Sequence, residues 1–165
     1  MLNSMHYHKP MKKITPLILS VLIAQSAGLI GTIFTASSIT TWYATLIKPE
    51  WTPPSWLFGP AWITLYTLMG IAAWMIWKQR KKPAARSALK VYGAQLVLNS
   101  IWSPLFFGLQ NPGLAFFEII ILLITIVLTI IFFWRINKWA GIILLPYLAW
   151  SSFATFLNFT IWQLN

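Results

Sequence analysis

Three runs of this chain place indoles, phenols and carboxamides at helical spacing. Tyr92, Gln95, Asn99 and Trp102 recur at i, i+3, i+7 and i+10; Tyr147, Trp150, Ala154 and Asn158 at i, i+3, i+7 and i+11; Phe58, Trp62 and Tyr66 at i, i+4 and i+8. Each set lies on one stripe if the segment is an α-helix. Side chains of these types do little acid–base work. They stack on flat conjugated rings, at about 0.5–1.5 kcal/mol per offset pair beyond area burial, and hydrogen-bond a few edge atoms. A fourth run, Ala24, Ala27, Gly28 and Gly31, is a strip of small residues where a backbone or a flat ligand can come close; it serves a homodimer contact equally well.

Other chemistry is missing. The chain has no Cys, so disulfides, thiol nucleophiles and Cys-ligated zinc or iron–sulfur sites are excluded. Its two His, His6 and His8, sit in the amino-terminal tail, and its two acids are Glu50 and Glu118. No carboxylate pair, metal-ligand spacing, Ser/His/Asp set or phosphate-binding glycine loop is present, so conventional hydrolysis and metal catalysis are not expected, no metal is expected, and no cofactor is obligatory. Glu118 is read as structural ahead of proton transfer, since the macrodipole near the start of a helix favours a carboxylate.

The elements that must position these stripes are membrane spans. Of 165 residues 58% are hydrophobic and 8% charged, against about 25% charged in a soluble domain. A span needs about 20 apolar residues, and five segments qualify: 14–34, 55–77, 88–107, 114–134 and 139–162. The first follows a basic tail, 1–13, and is too long for a signal-peptide apolar region, so it reads as an uncleaved helix. The expectation is an all-α integral membrane protein: one domain, 1–165, forming a five-helix transmembrane bundle with a long outer loop between helices 1 and 2.

Basic residues set the orientation. Lys9, Lys12, Lys13, Lys78, Arg80, Lys81, Lys82, Arg86, Lys90, Arg135 and Lys138 fall on one side of such a bundle and Lys48 alone on the other. The amino terminus is therefore expected to be cytoplasmic, in a bacterial-type inner membrane. The formal charge of +10 reports topology and implies no nucleic-acid partner. The loop at 35–54 is rich in Trp, Tyr and Pro and reads as an ordered outer cap. Pro104 and Pro146 are expected to kink helices; Pro60 falls near a helix start, where its missing N–H costs little.

Depth and orientation together bring Gly28, Trp62, Asn99, Trp102, Glu118, Ala154 and Asn158 into the outer half, beneath the cap. Polar side chains in a bilayer face the bundle interior, so the reading is one indole-lined pocket for a flat apolar ligand. The bland alternatives are helix packing for Trp62, Trp102 and Trp150, and interhelical hydrogen bonds for Gln95 and Asn99. Trp residues near span ends serve as interfacial anchors.

Three stretches, Thr41 to Trp62 (TWYATLIKPEWTPPSWLFGPAW), Tyr92 to Leu109 (YGAQLVLNSIWSPLFFGL) and Leu144 to Asn158 (LLPYLAWSSFATFLN), resemble the translocator protein family, TspO/MBR or tryptophan-rich sensory proteins. The resemblance implies a five-helix bundle, often dimeric, that binds porphyrins and similar flat ligands and acts as a membrane receptor or sensor in tetrapyrrole handling or stress signalling. It implies a pocket of Tyr43, Trp51 and Pro53 from the cap with Trp62, Asn99, Trp102, Trp150, Ala154 and Leu157 from the helices. Some similar bacterial proteins degrade protoporphyrin in light, with indoles matching Trp62 and Trp150 implicated, which offers light-dependent degradation as an alternative and these two indoles as its catalytic residues. Transport of porphyrin or another apolar solute is a third reading, against which stand the missing internal repeat and the scarcity of intramembrane ionisable groups. The cholesterol motif of animal relatives is incomplete, because Phe159 stands where its Tyr would be and no base follows.

Overall fold

The computed structural model describes residues 14–165; the basic tail, with His6, His8, Lys9, Lys12 and Lys13, lies outside them. The described residues are almost entirely helical and contain no strand: α1 Thr15–Ser38, α2 Trp42–Thr45, α3 Ser55–Trp77, α4 Pro83–Ser103 running into a π-helical turn Pro104–Gly108, α5 Pro112–Ile136, α6 Lys138–Ile142 and α7 Leu145–Leu164. Four stretches are long and apolar enough to cross a bilayer: α1, α3, α5 and Lys138–Leu164, which joins α6 and α7. Such segments are helical because hydrocarbon offers no partner for a free N–H or C=O.

The distribution of polarity is the reverse of a soluble protein's. Ile18, Leu22, Ile33, Ile121, Ile124 and Phe156 are exposed, whereas Gln95, Asn99, Ser151 and Asn158 are buried. The basic residues Lys78, Arg80, Lys81, Lys82, Arg135 and Lys138 gather where α3 turns into α4 and α5 into α6; the opposite end carries α2 and the 46–54 segment. These are called the basic end and the capped end.

Sequence expectations and structure differ chiefly at helix ends. α1 runs one turn past Phe34 because the polar residues there bond sideways: Thr35 Oγ1 lies 2.8 Å from Ser103 Oγ, and Ser38 Oγ donates to the Phe107 carbonyl at 2.9 Å. α4 starts five residues before Ala88, at Pro83, whose fixed φ suits a first helical position. Pro104 opens the π turn, in which Leu109 N–H reaches the Pro104 carbonyl at 2.8 Å. The kink expected at Pro146 is instead a break at 143–144, which leaves Pro146 in the first turn of α7, where no N–H is needed. Pro60 lies inside α3, past the first turn, so the Trp56 carbonyl loses its i+4 donor.

At the basic end α1 and α3 touch backbone to backbone. A Cβ on Gly70 would stand 2.5 Å from Val21 Cα, and Ser20 Oγ donates to the Gly70 carbonyl at 2.7 Å. Met69, Ala72, Ala73, Ile76, Ala85 and Ala88 fill that level without measurable exposure or nearly so. The small strip of α1 is used in the same way: Ala24 and Ala27 are buried, and a Cβ on Gly28 would strike the Tyr66 ring. That strip faces its own bundle, so it is not a free surface for a second copy.

Candidate functional site

Moving from the basic end toward the cap, the small residues give way to rings, and the helices part around a cavity of about 720 Å³. Rings are rigid and cannot interdigitate as alanines do. Trp62 stacks on Tyr66 with centroids 5.4 Å apart, Trp102 stacks on Phe106 at 5.0 Å, and Trp150 and Phe58 form a T-shaped pair at 5.8 Å. All three indoles border the cavity.

The floor of the cavity is a chain of buried hydrogen bonds that ties three helices. Tyr66 Oη of α3 donates to Asn99 Oδ1 of α4 at 2.5 Å; Asn99 Nδ2 donates to Tyr147 Oη of α7 at 3.0 Å; and Tyr147 Oη donates to Gln95 Oε1 at 2.9 Å. Higher up, Trp102 Nε1 donates to Asn158 Oδ1 at 3.0 Å, and Asn158 Nδ2 to the Pro112 carbonyl at 2.7 Å. The two stripes on α4 and α7 are thus bonded to each other. In a low-dielectric interior such a network fixes its members, because every freed group would stay unsolvated.

The roof comes from the cap. Tyr43 borders the cavity and packs on Phe107 with centroids 5.5 Å apart, while Trp42 meets Phe106 edge-on at 5.6 Å. Lys48 Nζ donates to the carbonyls of Tyr43 and Leu46, at 2.8 and 2.9 Å, and lies 4.9 Å from the Tyr43 ring centroid. Burial pushes the Tyr43 phenol above its usual pKa, so it remains a neutral donor. The Asn165 carboxamide exchanges two hydrogen bonds with the Ile47 backbone, both 2.9 Å, which fastens the cap to the end of α7.

Of the residues singled out from sequence, Tyr43, Trp62, Asn99, Trp102, Trp150, Ala154 and Leu157 all border this one cavity. Trp51 and Pro53 do not. Trp51 lies outside, stacked on Phe156 at 5.2 Å and 43% exposed, because Phe156 is on the outward face of α7 and draws the 46–54 segment over it. Glu118 is also away from the lining. It is buried in the second turn of α5, beyond the Asn111 cap, so the macrodipole that acts within the first turn gives it little, and among the described residues both carboxyl oxygens lack a hydrogen-bond partner. Trp150 Nε1 and Ser151 Oγ are likewise unpartnered among the described residues.

Sequence reasoning named Gly28 and Gly31 of the α1 wall, which border the cavity, but missed its polar members. Gln25, Thr32 and Thr35 border the cavity at i, i+7 and i+10, the same polar rhythm as the α4 stripe, and that rhythm was available in the sequence. Among the described residues no three His, Cys, Asp or Glu side chains come together. The arrangement is therefore suited to holding a flat, mostly apolar molecule by its faces. Its volume lies within the roughly 300–1,000 Å³ of small-molecule sites.

The sequence profile of the TspO/MBR family matches residues 20–163. The chain is 46% identical over 152 residues to the tryptophan-rich protein TspO of Archaeoglobus fulgidus, covering 92% of this chain and 98% of that protein. It is 37% identical over 152 residues to the translocator protein of Ovis aries, covering 91% and 90% of the two chains. It is 38% identical over 124 residues to the tryptophan-rich sensory protein of Cereibacter sphaeroides, covering 75% and 77%.

Proposed function

Because this chain belongs to the TspO/MBR family and is an integral membrane protein, we propose that it is a membrane receptor or sensor whose cavity takes a porphyrin-like guest. The observation that carries the reading is the convergence of Trp62, Trp102 and Trp150 on one cavity of about 720 Å³ above a floor of buried hydrogen bonds. Three indole faces offer stacking, and few polar groups remain to demand a polar ligand. In the same reading the guest is a ligand and no cofactor is built in.

The membrane placement belongs to this proposal. α4 is taken as the fifth crossing: after Arg86 and Lys90 the stretch from Val91 to Gly108 carries no charge. The basic end then faces the cytoplasm, the cap and the end of α7 face outward, and the membrane is a bacterial-type inner membrane. A second copy, where one associates, uses a face other than the buried strip of α1.

Titration of the purified protein with protoporphyrin, following Trp fluorescence, tests the reading. Indoles in contact with a porphyrin transfer their excitation to it, so saturable quenching is the expected result, and its absence rejects the reading. A second reading, light-dependent degradation of the guest, is favoured by the two indoles Trp62 and Trp150 bordering the same cavity, beside whatever it holds. Illumination then bleaches porphyrin faster with the native chain than with Trp62→Phe, Trp150→Phe; equal bleaching leaves a binding protein.

A further inference from the structure

The cavity is pinned at the top and unpinned at one side. The roof is held by the Lys48 bonds, the Asn165–Ile47 pair and the ring contacts of Trp42 and Tyr43. Between α1 and α3 the side-chain bonds stop partway up. Ser20 bonds the Gly70 carbonyl, and Gln25 Nε2 donates to the Ile63 carbonyl at 2.9 Å and to Thr67 Oγ1 at 3.0 Å. Gly28 approaches the Tyr66 ring closely just above this level.

Beyond that level α1 turns its hydroxyls to the other neighbour. Ser103 Oγ donates to the Gly31 carbonyl at 3.1 Å, Thr35 pairs with Ser103, and Ser38 reaches Phe107. α1 therefore leans on α4 and its π turn, and leaves α3 behind. The cavity lining at this seam includes Leu29, Thr32 and Ala36 on α1 and Ser55, Gly59 and Ile63 on α3, and every one of the six is exposed. Leu29 is 66% exposed and Ile63 60%, so apolar side chains flank the opening where water would be a poor neighbour and acyl chains a good one.

The geometry points to a lateral portal between α1 and α3 through which the guest passes from the bilayer into the cavity, with Gly59 as its threshold. This rests on the porphyrin-like reading for the guest and adds its source and class: a flat amphiphile already partitioned into lipid, one edge of which stays at the slot when bound. Gln25 is the hinge pin below the slot, and the Thr35–Ser103 pair holds α1 away from α3 above it.

Gly59 offers a clean test, because a Cβ there meets nothing within 4 Å and a side chain can be added without strain in the fold. Gly59→Phe places a ring in the slot without adding an indole. Protoporphyrin delivered from donor vesicles is expected to associate with this variant roughly ten-fold or more slowly than with the native chain, and to leave correspondingly slowly, as gating demands. Unchanged association and release rates would mean that the guest travels another way and overturn the portal. A second measurement needs no porphyrin. The chain has no Cys, so Gly59→Cys carries a single bimane label. In vesicles of phosphatidylcholine with dibrominated acyl chains the portal predicts bimane quenching by the lipid and protection from aqueous iodide; quenching by iodide alone overturns it. Failure of the titration in the native chain, with bimane quenched by bromolipid, rejects the porphyrin reading and keeps the slot.

Discussion

The basic end and the capped end of this bundle solve the same packing problem with opposite materials. At the basic end Gly70, Ala72, Ala73, Ala85 and Ala88 let backbones meet, and the interior is solid. At the capped end Trp62, Tyr66, Trp102, Phe106 and Trp150 hold the same helices apart, and the interior is hollow. In a bilayer there is no hydrophobic drive between helices, so close van der Waals contact and hydrogen bonds must hold them. The solid end uses the first and the hollow end the second. What the contrast teaches is that the cavity is sustained from below: the glycine–valine contact sets the α1–α3 crossing, and the Tyr66–Asn99–Tyr147 chain stops the rings from collapsing inward.

The harshest way to break this contrast is to spoil the solid end. Gly70→Leu drives a side chain into the α1 backbone at Val21, an overpacking that costs about 3 kcal/mol or more. Followed by circular dichroism in detergent, the melting transition is expected to fall by roughly 10 °C. Gly93, where a Cβ meets nothing, is the control: Gly93→Ala is expected to hold or raise stability through helix propensity. If Gly70→Leu melted like the native chain, the close contact would not be what fixes the crossing.

Removing the floor comes next. Asn99→Leu keeps the volume of the side chain near its native value but strands the Tyr66 hydroxyl away from water and takes from Tyr147 the bond it accepts, leaving it only Gln95, a loss of about 2 kcal/mol. Ligand binding should suffer more than stability here, since the freed rings of Tyr66 and Trp62 can tilt into the cavity. Tyr66→Phe, which removes only one donor, is expected to lower the melting transition by about half as much as Asn99→Leu.

How far this contrast could be read from sequence depends on periodicity. The α4 and α7 stripes were legible because residues at i, i+3 and i+7 share a face whatever surrounds them, and the apolar lengths of α1, α3, α5 and the α6–α7 stretch are set by the bilayer. That Trp62, Trp102 and Trp150 border one cavity followed from these two facts. The slot between α1 and α3 was not legible, because it arises from the tilt of α1 toward Ser103 and Phe107, and tilt is a property of partners. Trp51 misled for a related reason: its likeness to a family motif fixed its identity, whereas its direction was decided by Phe156, a residue with no motif. At Pro104 the sequence predicts a kink and the structure has a π turn, since a missing N–H announces a break in the ladder without saying how the ladder is resumed.

The subtlest prediction separates the indoles that line from those that also hold. Trp102 and Trp150 both border the cavity, yet only Trp102 donates a hydrogen bond, to Asn158; the Trp150 N–H has no partner among the described residues. Trp102→Phe therefore strands the Asn158 carbonyl and is expected to cost about 1 kcal/mol of stability as well as affinity. Trp150→Phe removes a buried donor that was bonded to nothing, so the transition should hold or rise while porphyrin affinity falls by the worth of one stacked ring, about 0.5–1.5 kcal/mol or roughly two- to twelve-fold in Kd. Paired melting curves and fluorescence titrations on the two variants read this directly. Equal destabilisation by both would show that Trp150 is a packing residue whose presence at the cavity wall is incidental, and the hollow end would then owe its shape to Trp62 and Trp102 alone.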